Sequence, residues 1–422
     1  MTARIFKSLR KHRNYRLFFT GQIVSLAGTW MQNIALAWFV VELTNSPLAI
    51  GALAFCRFLP FMLFGLYAGV IADRLDNRKL VMATQAAQMA VSIALTALVY
   101  SGWENIPAVF ALAFVGGAAL VLDAPGRQSL TFQMVGRDEL PNAIALNTGL
   151  FNGARIIGPA IAGVIIAAGG VGICFAINAV TFLAVLTALA LMRADDLFSV
   201  NRDRDRKHAL VAIREGLSFA WHNMEVRLAL LILGIASTVG FNFHVILPVL
   251  TSQTLDAGPE VFGALSAAFG AGALLGALIQ AARARASWKA LLFGATVFSS
   301  GLVVLAPIQT VALAGFVLFV VGVGFTVWVS NTSALLQLRA PDRLRGRVMS
   351  LFMFAFAGLA PIGGLFAGWL MDVGGTPLAL ALGGAMSLVV VGYAWTRLPG
   401  LRAERPTLAL FSAQQDEATR AA

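Results

Sequence analysis

Gly69-Val-Ile-Ala-Asp73-Arg74-Leu-Asp76-Asn77-Arg78-Lys79 is a short charged connection between two long apolar runs, residues 47–72 and 80–100. About 20 helical residues at ~1.5 Å each cover the ~30 Å hydrocarbon core of a bilayer, so each run is long enough to cross one. Asp, Arg and Lys crowded into so tight a turn place it at a water interface. A hairpin of two membrane-crossing helices is the simplest structure that satisfies both demands.

The same reading carries outward along the chain. Apolar runs recur at 17–41, 106–126, 141–168, 172–192, 226–250, 261–282, 289–306, 310–337, 346–371 and 377–397, which with the first pair makes twelve spans. Only 12% of residues are charged, about half the usual share of a soluble domain. The runs are continuous rather than alternating, which excludes a β-barrel. The first run is too long for a signal-peptide core and no small-residue cleavage site follows it, so it stays as a span. Cys56 and Cys174 both fall inside spans, so no structural disulfide is expected. The fold class is therefore an all-α membrane protein of twelve transmembrane helices in two pseudo-symmetric six-helix bundles.

The charges test this assignment. With the N-terminus in the cytoplasm, every basic residue except Arg57 and Arg155 falls on the inner side. A wrong span count would scatter them, so the positive-inside rule supports twelve spans with both termini cytoplasmic. Attraction to an anionic leaflet then accounts for the net charge of +11 without any nucleic-acid partner. The alternating charge run Arg202-Asp-Arg-Asp-Arg-Lys207 reads as a solvated linker, and Leu210, Ile213, Leu217 and Trp221 after it mark one apolar helical face. That face predicts a short helix along the inner membrane surface. The domain division is then 1–192 for the first bundle, 193–225 for the linker, 226–402 for the second bundle and 403–422 for a cytoplasmic tail.

The halves also repeat. Asp138-Glu-Leu140 matches Asp342-Arg-Leu344, Gly158-Pro159 matches Ala360-Pro361, and Gly169-Gly170 matches Gly374-Gly375, at offsets of 202 to 205 residues. Internal repetition of this kind is expected of transporters built from two six-helix halves. Enzyme signatures are absent: there is no phosphate-cradling G-x-x-x-x-G-K-[ST], no H-E-x-x-H and no Cys/His cluster. The chain is read as no enzyme, with no metal and no cofactor.

Polar residues recur at helical spacing inside apolar spans. Gln22, Ser25, Thr29, Gln32 and Asn33 share a face of span one, Thr148, Asn152 and Arg155 one of span five, and Thr326, Ser330, Ser333 and Gln337 one of span ten. A polar stripe facing lipid is costly, so these faces turn inward, either bonding between helices or lining a wet cavity. Arg57 and Arg155 lie about 15 and 20 Å deep, counting ~1.5 Å per residue from the outer span ends. A charge there costs about 2.5–3.5 kcal/mol even on the lenient insertion scale, so each faces a cavity or a partner. No acidic residue stands at that depth, which favours anionic or neutral cargo over cationic. Asp123, near the inner edge of span four, is the carboxylate best placed for proton coupling, because burial raises a carboxyl pKa. His244, the one histidine inside a span, reads as an interhelical hydrogen-bonding residue or a proton relay.

The opening loop resembles the G-x-x-x-D-R-x-G-R-[RK] motif between the second and third helices of the major facilitator superfamily. Gly69, Asp73, Arg74 and Arg78 take its first, fifth, sixth and tenth positions, while Asp76 replaces its glycine and Asn77 its arginine. In that family the aspartate latches an inner gate against the start of the eleventh helix, which implies that Asp73 meets a helix N-terminus with Arg343 or Arg347 there. Gly149, Gly153, Gly158-Pro159 and Gly163 resemble in part the Gly-Pro motif of antiporter-type exporters, where Pro159 frees a carbonyl and bends the span. Arg13-Asn-Tyr-Arg16-Leu-Phe-Phe, Thr44-Asn-Ser46-Pro, Arg137-Asp-Glu-Leu-Pro-Asn142-Ala and Phe241-Asn-Phe-His-Val-Ile-Leu-Pro248 bring the likeness closest to bacterial siderophore exporters and macrolide efflux proteins. The resemblance implies a monomeric inner-membrane exporter of siderophore-like or drug-like small molecules, driven by proton antiport through alternating access. An importer or facilitator on the same fold is the alternative, and a non-transporting receptor or scaffold a more distant one.

Overall fold

A computed structural model describes residues 6–103, 105–198, 209–283 and 285–397, without the side chains at 66, 69, 70, 72, 73, 209–213, 342 and 343. Among the described residues there are helices and no strands. After the short α1 (Lys7–Lys11), the first half holds α2 (Arg13–Thr44), α3 (Pro47–Arg74), α4 (Asn77–Tyr100), α5 (Ile106–Gly169) and α6 (Val171–Ala190). A connecting helix α7 (Ala209–His222) leads to α8 (Met224–Val239), α9 (Phe243–Val249), α10 (Pro259–Arg283), α11 (Trp288–Leu305), α12 (Val311–Arg339), α13 (Asp342–Met353) and α14 (Ala360–Arg397).

Helix starts follow local chemistry. Ser46 Oγ accepts the Ala49 N–H at 3.3 Å ahead of Pro47, and Asn105 Oδ1 accepts the Ala108 N–H at 2.9 Å ahead of Pro107. Each pairs an N-cap oxygen with a proline in the first turn, where a missing N–H costs nothing. Asp76, the departure from the loop motif, caps α4 by accepting the Lys79 N–H at 3.0 Å. The aspartate thus serves the helix start in place of the usual glycine.

Ten stretches among the described residues are long and apolar enough to cross a membrane. Two of them, Ile106–Gly169 and Leu344–Arg397, are about twice the length one crossing needs. They are interrupted at Gly136 (φ 70°, ψ −177°) and at Gly374 and Gly375 (φ 70°, ψ 178° for Gly375), between the spans read from sequence. Residues 127–140, expected as a loop, are helical on both sides of Gly136. Gly170 turns the chain between α5 and α6 with φ 81° and ψ 172°. Positive φ with ψ near 180° belongs essentially to glycine alone. Gly170 and Gly375 are the repeat partners in sequence, so the internal repeat extends to an unusual backbone state. Two expected spans are less regular. Residues 226–250 break between α8 and α9, and the run that begins with α13 passes through a π-helical turn, Phe354–Gly358, before Pro361. Proline there rejects the carbonyl four residues back, and a wider turn absorbs the conflict.

Within the first half α2 packs on α5 and α6, and α4 on the same two; within the second, α12 packs on α10 and α11, and α14 on α8 and α11. The halves meet along two seams, α3 with α14 and α5 with α10. Both seams are backbone against backbone. A Cβ on Gly368 would sit 2.8 Å from Pro47 O and 3.1 Å from Gly51 Cα; one on Gly163 would sit 2.7 Å from Pro259 O and 3.1 Å from Gly263 Cα. The two seams therefore use the same contact twice, in the small-residue packing that lets membrane helices approach closely. Both contacts lie at the end of the molecule opposite Arg74 and Arg283. Gln253 Nε2 adds hydrogen bonds to Asn45 O at 3.0 Å and Oδ1 at 3.2 Å at that end, and Trp38 stacks on Phe262 at 5.9 Å. About four helical turns away, on nearly the same helix faces, Gly65 and Gly149 have nothing within 4 Å of where a Cβ would lie. The halves are closed at the arginine-poor end and apart at the arginine-rich end.

This geometry makes a direct prediction. In a chain with Cys56 and Cys174 replaced by serine, a cysteine at the buried Ala54 of the α3–α14 seam reacts slowly with maleimide in detergent. Adding Gly163→Val on the other seam wedges that end open and raises the labelling rate at least five-fold, whereas Gly149→Val leaves it within two-fold.

Candidate functional site

Where the seams end, α5 presents Arg155. Its carbonyl is 3.1 Å from where a Cβ on Gly270 of α10 would be, so the halves touch here too. The guanidinium carbon lies 4.7 Å from the Phe269 ring centre, 5.6 Å from Phe325 and 5.8 Å from Trp30. Rings from both halves thus enclose a cation of the first half, and among the described residues no carboxylate pairs with it. A desolvated cation–π contact is worth about 2 kcal/mol, which offsets much of the burial cost. The ring cluster continues through Phe241, stacked on Phe325 at 4.3 Å, to Phe356 at 5.7 Å from Phe241. Trp30 also meets Phe151 edge-on at 5.6 Å. Asn152 stands beside this cluster one turn before Ile156, donating to Thr148 O at 2.9 Å. Thr326 of α12 packs beside Gly276, whose added Cβ would sit 3.0 Å from Thr326 Cβ, and Ser330 is half-buried one turn further on.

The predicted cavity residues do not all gather there. Thr29, Gln32, Asn33 and Arg57 line a separate cavity of ≈ 50 Å³ inside the first half, together with Gln88 and Asn178. Arg57 donates to Asn33 Oδ1 at 2.6 Å and lies 5.9 Å from the Phe58 ring centre. Phe58 in turn meets His244 of α9 edge-on at 5.1 Å, and His244 Nε2 is buried without a hydrogen-bond partner. Ser25 is buried, and its carbonyl accepts from Thr29 at 2.9 Å. Spacing along one helix reports a shared face, but not which neighbouring helix each turn of that face meets. The span-one stripe is therefore divided between different surroundings.

Gln22 belongs to a third group, near the arginine-rich end. Asp123, 1% exposed, accepts from Thr84 Oγ1 at 2.8 Å and Gln85 Nε2 at 3.0 Å, and forms a two-pronged ion pair with Arg127 at 2.8 and 2.5 Å. Arg127 reaches on to Gln22 Oε1. The sequence reading placed Arg127 in a loop. It sits instead one turn beyond Asp123 on the same helix, and burial of the carboxylate comes with a counter-charge.

The loop motif is partly described. Arg78 donates from Nε to Leu189 O at 2.8 Å and from Nη2 to Ala190 O at 2.9 Å, so it binds the carbonyl end of α6, where a helix dipole favours a cation. Arg74 is exposed. The side chains of Gly69, Asp73 and Arg343, and hence the expected Asp73 latch with Arg343, lie outside the described residues. Arg347, the other expected partner, pairs with Glu215 of α7, and a second pair joins Glu225 to Arg339 at 2.7 Å. The α7 helix lies against α13 through Gly216, where an added Cβ would sit 3.0 Å from Arg347 Cβ, and leaves Leu217 and Trp221 exposed. Leu210 and Ile213 of its expected apolar face are outside the described side chains. No break in helical dihedrals occurs at Pro159. Gly158 packs on Trp30 of α2, and both Pro159 and Gly163 pack on Gly263 of α10, so this motif forms a packing surface between helices. The aromatic cage was not visible in the sequence, because Phe241, Phe269 and Phe325 read as ordinary apolar span residues.

Comparison with known proteins adds the family. The staphyloferrin A transporter of Staphylococcus aureus is 25% identical over 380 residues, covering 89% of this chain and 94% of the relative. The multidrug efflux pump Tap of Mycolicibacterium fortuitum is 26% identical over 390 residues, 89% and 93%, and macrolide efflux protein A of Streptococcus pyogenes is 22% identical over 364 residues, 84% and 89%. In fold, a POT family transporter in complex with 5-aminolevulinic acid is similar with TM-score 0.74 at 11% identity, covering 93% and 97% of the two chains. A bacterial homologue of the iron transporter ferroportin in an inward-facing state gives 0.64 at 14%, covering 90% and 98%. Residues 6–416 match the family described as transmembrane secretion effector, and with two helical halves meeting along paired seams the chain belongs to this family of major facilitator transporters.

Proposed function

We propose that this chain exports small molecules across the bacterial inner membrane by alternating access, taking anionic or neutral cargo between its halves at Arg155. The observation that carries the reading is the pair of equivalent glycine seams closing one end while the other stands apart around a caged cation. The closest contacts of these seams are backbone on backbone, so they can part as a unit while the halves stay internally packed. The gap then opens alternately to each side. The efflux names of two relatives, Tap and macrolide efflux protein A, and the secretion description of the family support the outward direction. The positive-inside pattern assigns the open end and both termini to the cytoplasm. We take the chain as bundles 1–192 and 226–402 joined by 193–225, a reading that the packing partners of the described helices support, with each copy holding a complete pathway as a monomer.

Cargo with a carboxylate or phosphate competes with the aromatic faces for Arg155, whose charge-assisted hydrogen bonds are stronger than its ring contacts. The Gly69–Arg78 loop and the Glu215–Arg347 pair sit at the open end and act as its gate. Proton antiport is assigned to Asp123, with Arg127 as the group that protonation would release.

In everted vesicles energised by respiration, the full chain accumulates one or more members of a panel of carboxylate-bearing and neutral fluorescent compounds, with staphyloferrin A and a macrolide included. Arg155→Gln lowers accumulation of the carboxylate-bearing members at least ten-fold and of neutral members less than two-fold. Accumulation restricted to right-side-out vesicles contradicts the export direction. In proteoliposomes with an imposed pH gradient, Asp123→Asn abolishes the gradient dependence while retaining downhill exchange; unchanged gradient dependence removes Asp123 from the coupling role.

A further inference from the structure

Arg57 and Arg155 are both unpaired with carboxylates among the described residues, yet their surroundings differ. Arg155 lies between the halves against three rings. Arg57 faces a cavity formed only by helices of the first half, with no residue of the second half in its lining. At ≈ 50 Å³ that cavity is several times smaller than the roughly 300–1,000 Å³ of sites for drug-sized ligands. It exceeds the roughly 10–15 Å³ that one water requires in the same kind of measure. Export cargo does not fit it, whereas an ion of one to four heavy atoms does.

Most of the polar groups left free there are donors, with the Gln88 side-chain amide and the Thr29 hydroxyl able to accept as well. Gln32 Oε1 already accepts from Ser92 Oγ at 2.6 Å and Asn178 Nδ2 at 2.8 Å. Asn33 Oδ1 accepts from Arg57, and Asn178 Oδ1 accepts from Thr181 Oγ1 at 3.0 Å. Three amide oxygens in the lining are thus engaged, while the Gln32 and Asn33 NH₂ groups and the rest of the Arg57 guanidinium have no protein acceptor among the described residues. An amide offers two donors and a guanidinium five, so the pocket is rich in donors, carries one positive charge and holds no carboxylate. A cation would be repelled, and water alone would leave the charge unneutralised in a low-dielectric setting.

We propose that this cavity binds a small monovalent anion, the size of chloride, nitrate or formate, on Arg57 with the Gln32 and Asn33 amides, separately from the cargo path at Arg155. The anion neutralises a charge that the first half otherwise carries through its interior. It also fixes α3 to α2, so these two helices move together. The inference holds whichever direction cargo moves.

The test uses the purified full-length chain in detergent, dialysed into sodium gluconate. Chloride, nitrate or formate then replaces gluconate at constant ionic strength while thermal unfolding is followed. A specific ligand of the folded state raises the midpoint with a saturating dependence on its concentration. Wild type shows that saturating rise with each of the three small anions and none with citrate. Arg57→Gln removes it. Because that variant can fail to fold, Gly116→Val provides an independent test: a Cβ there meets only Val91 Cγ1 at 3.8 Å, so valine fills the cavity without touching Arg57's hydrogen bond. Gly116→Val folds and weakens the half-saturating anion concentration at least ten-fold, and Arg155→Gln leaves it within two-fold. No saturating rise in wild type, an unchanged response in Gly116→Val, or a response lost in Arg155→Gln each overturns the proposal.

Discussion

Inside a bilayer, apolar side chains gain nothing by leaving lipid for protein, so helices hold together through close contact and internal hydrogen bonds. The rest of this architecture depends on that constraint. Where the two halves meet most tightly, their closest contacts are made by the main chain. They touch through backbone, Pro47 and Gly51 against Gly368, and Pro259 and Gly263 against Gly163. Contacts so short tolerate no Cβ, so the seam is either fully closed or open. Because both seams lie at one end, closing them leaves the halves apart at the other, and Arg155 sits where closed gives way to open.

The same lack of water dictates how each buried charge is accommodated. Asp123 and Arg127 neutralise one another and use Thr84, Gln85 and Gln22 for the remaining hydrogen bonds. Arg78, at the rim, binds the carbonyl end of α6. Arg155 is met by ring faces and Arg57 by an amide beside a cavity. The first two are complete in the folded chain, which suits a structural or coupling part. The last two leave hydrogen-bond donors unused, which suits a part that receives something.

Much of the fold could be read from residues alone, for identifiable reasons. Span limits were visible because apolar runs end abruptly at charge, whereas the capping by Ser46, Asp76 and Asn105 shows only in the structure. The reversals at Gly170 and Gly375 were visible as paired glycines. The site was less legible. The span-one stripe fixed a helix face, but its residues are shared out between the Asp123 group and the Arg57 cavity, since neighbouring turns of one face look onto different helices. Arg57 and Arg155 stood out because charge in lipid is costly, while the rings around Arg155 carried no such mark. Pro159 showed in the sequence as a helix-bending residue, but the packing of its carbonyl against Gly263 of the other half did not.

Repetition and difference between the halves have separate consequences. Backbone features repeat: the seams, the glycine reversals and the order of helices are shared, and they allow two similar bodies to rock about one contact. Side chains diverge. The interior of the first half carries Gln32, Ser92 and Asn178 bonded to one another, with both ionised groups of the Asp123 pair and both unpaired arginines. The interior of the second is lined by Phe243, Phe269, Phe298, Phe325 and Trp328 in mutual contact. A cation from the polar half therefore rests on rings from the apolar half, and the contact between them is lost whenever the halves separate there. Motion that obeys the symmetry of the backbone thus changes the surroundings of Arg155 in only one of its two end states, which is the asymmetry that a pump needs to bind cargo on one side and release it on the other.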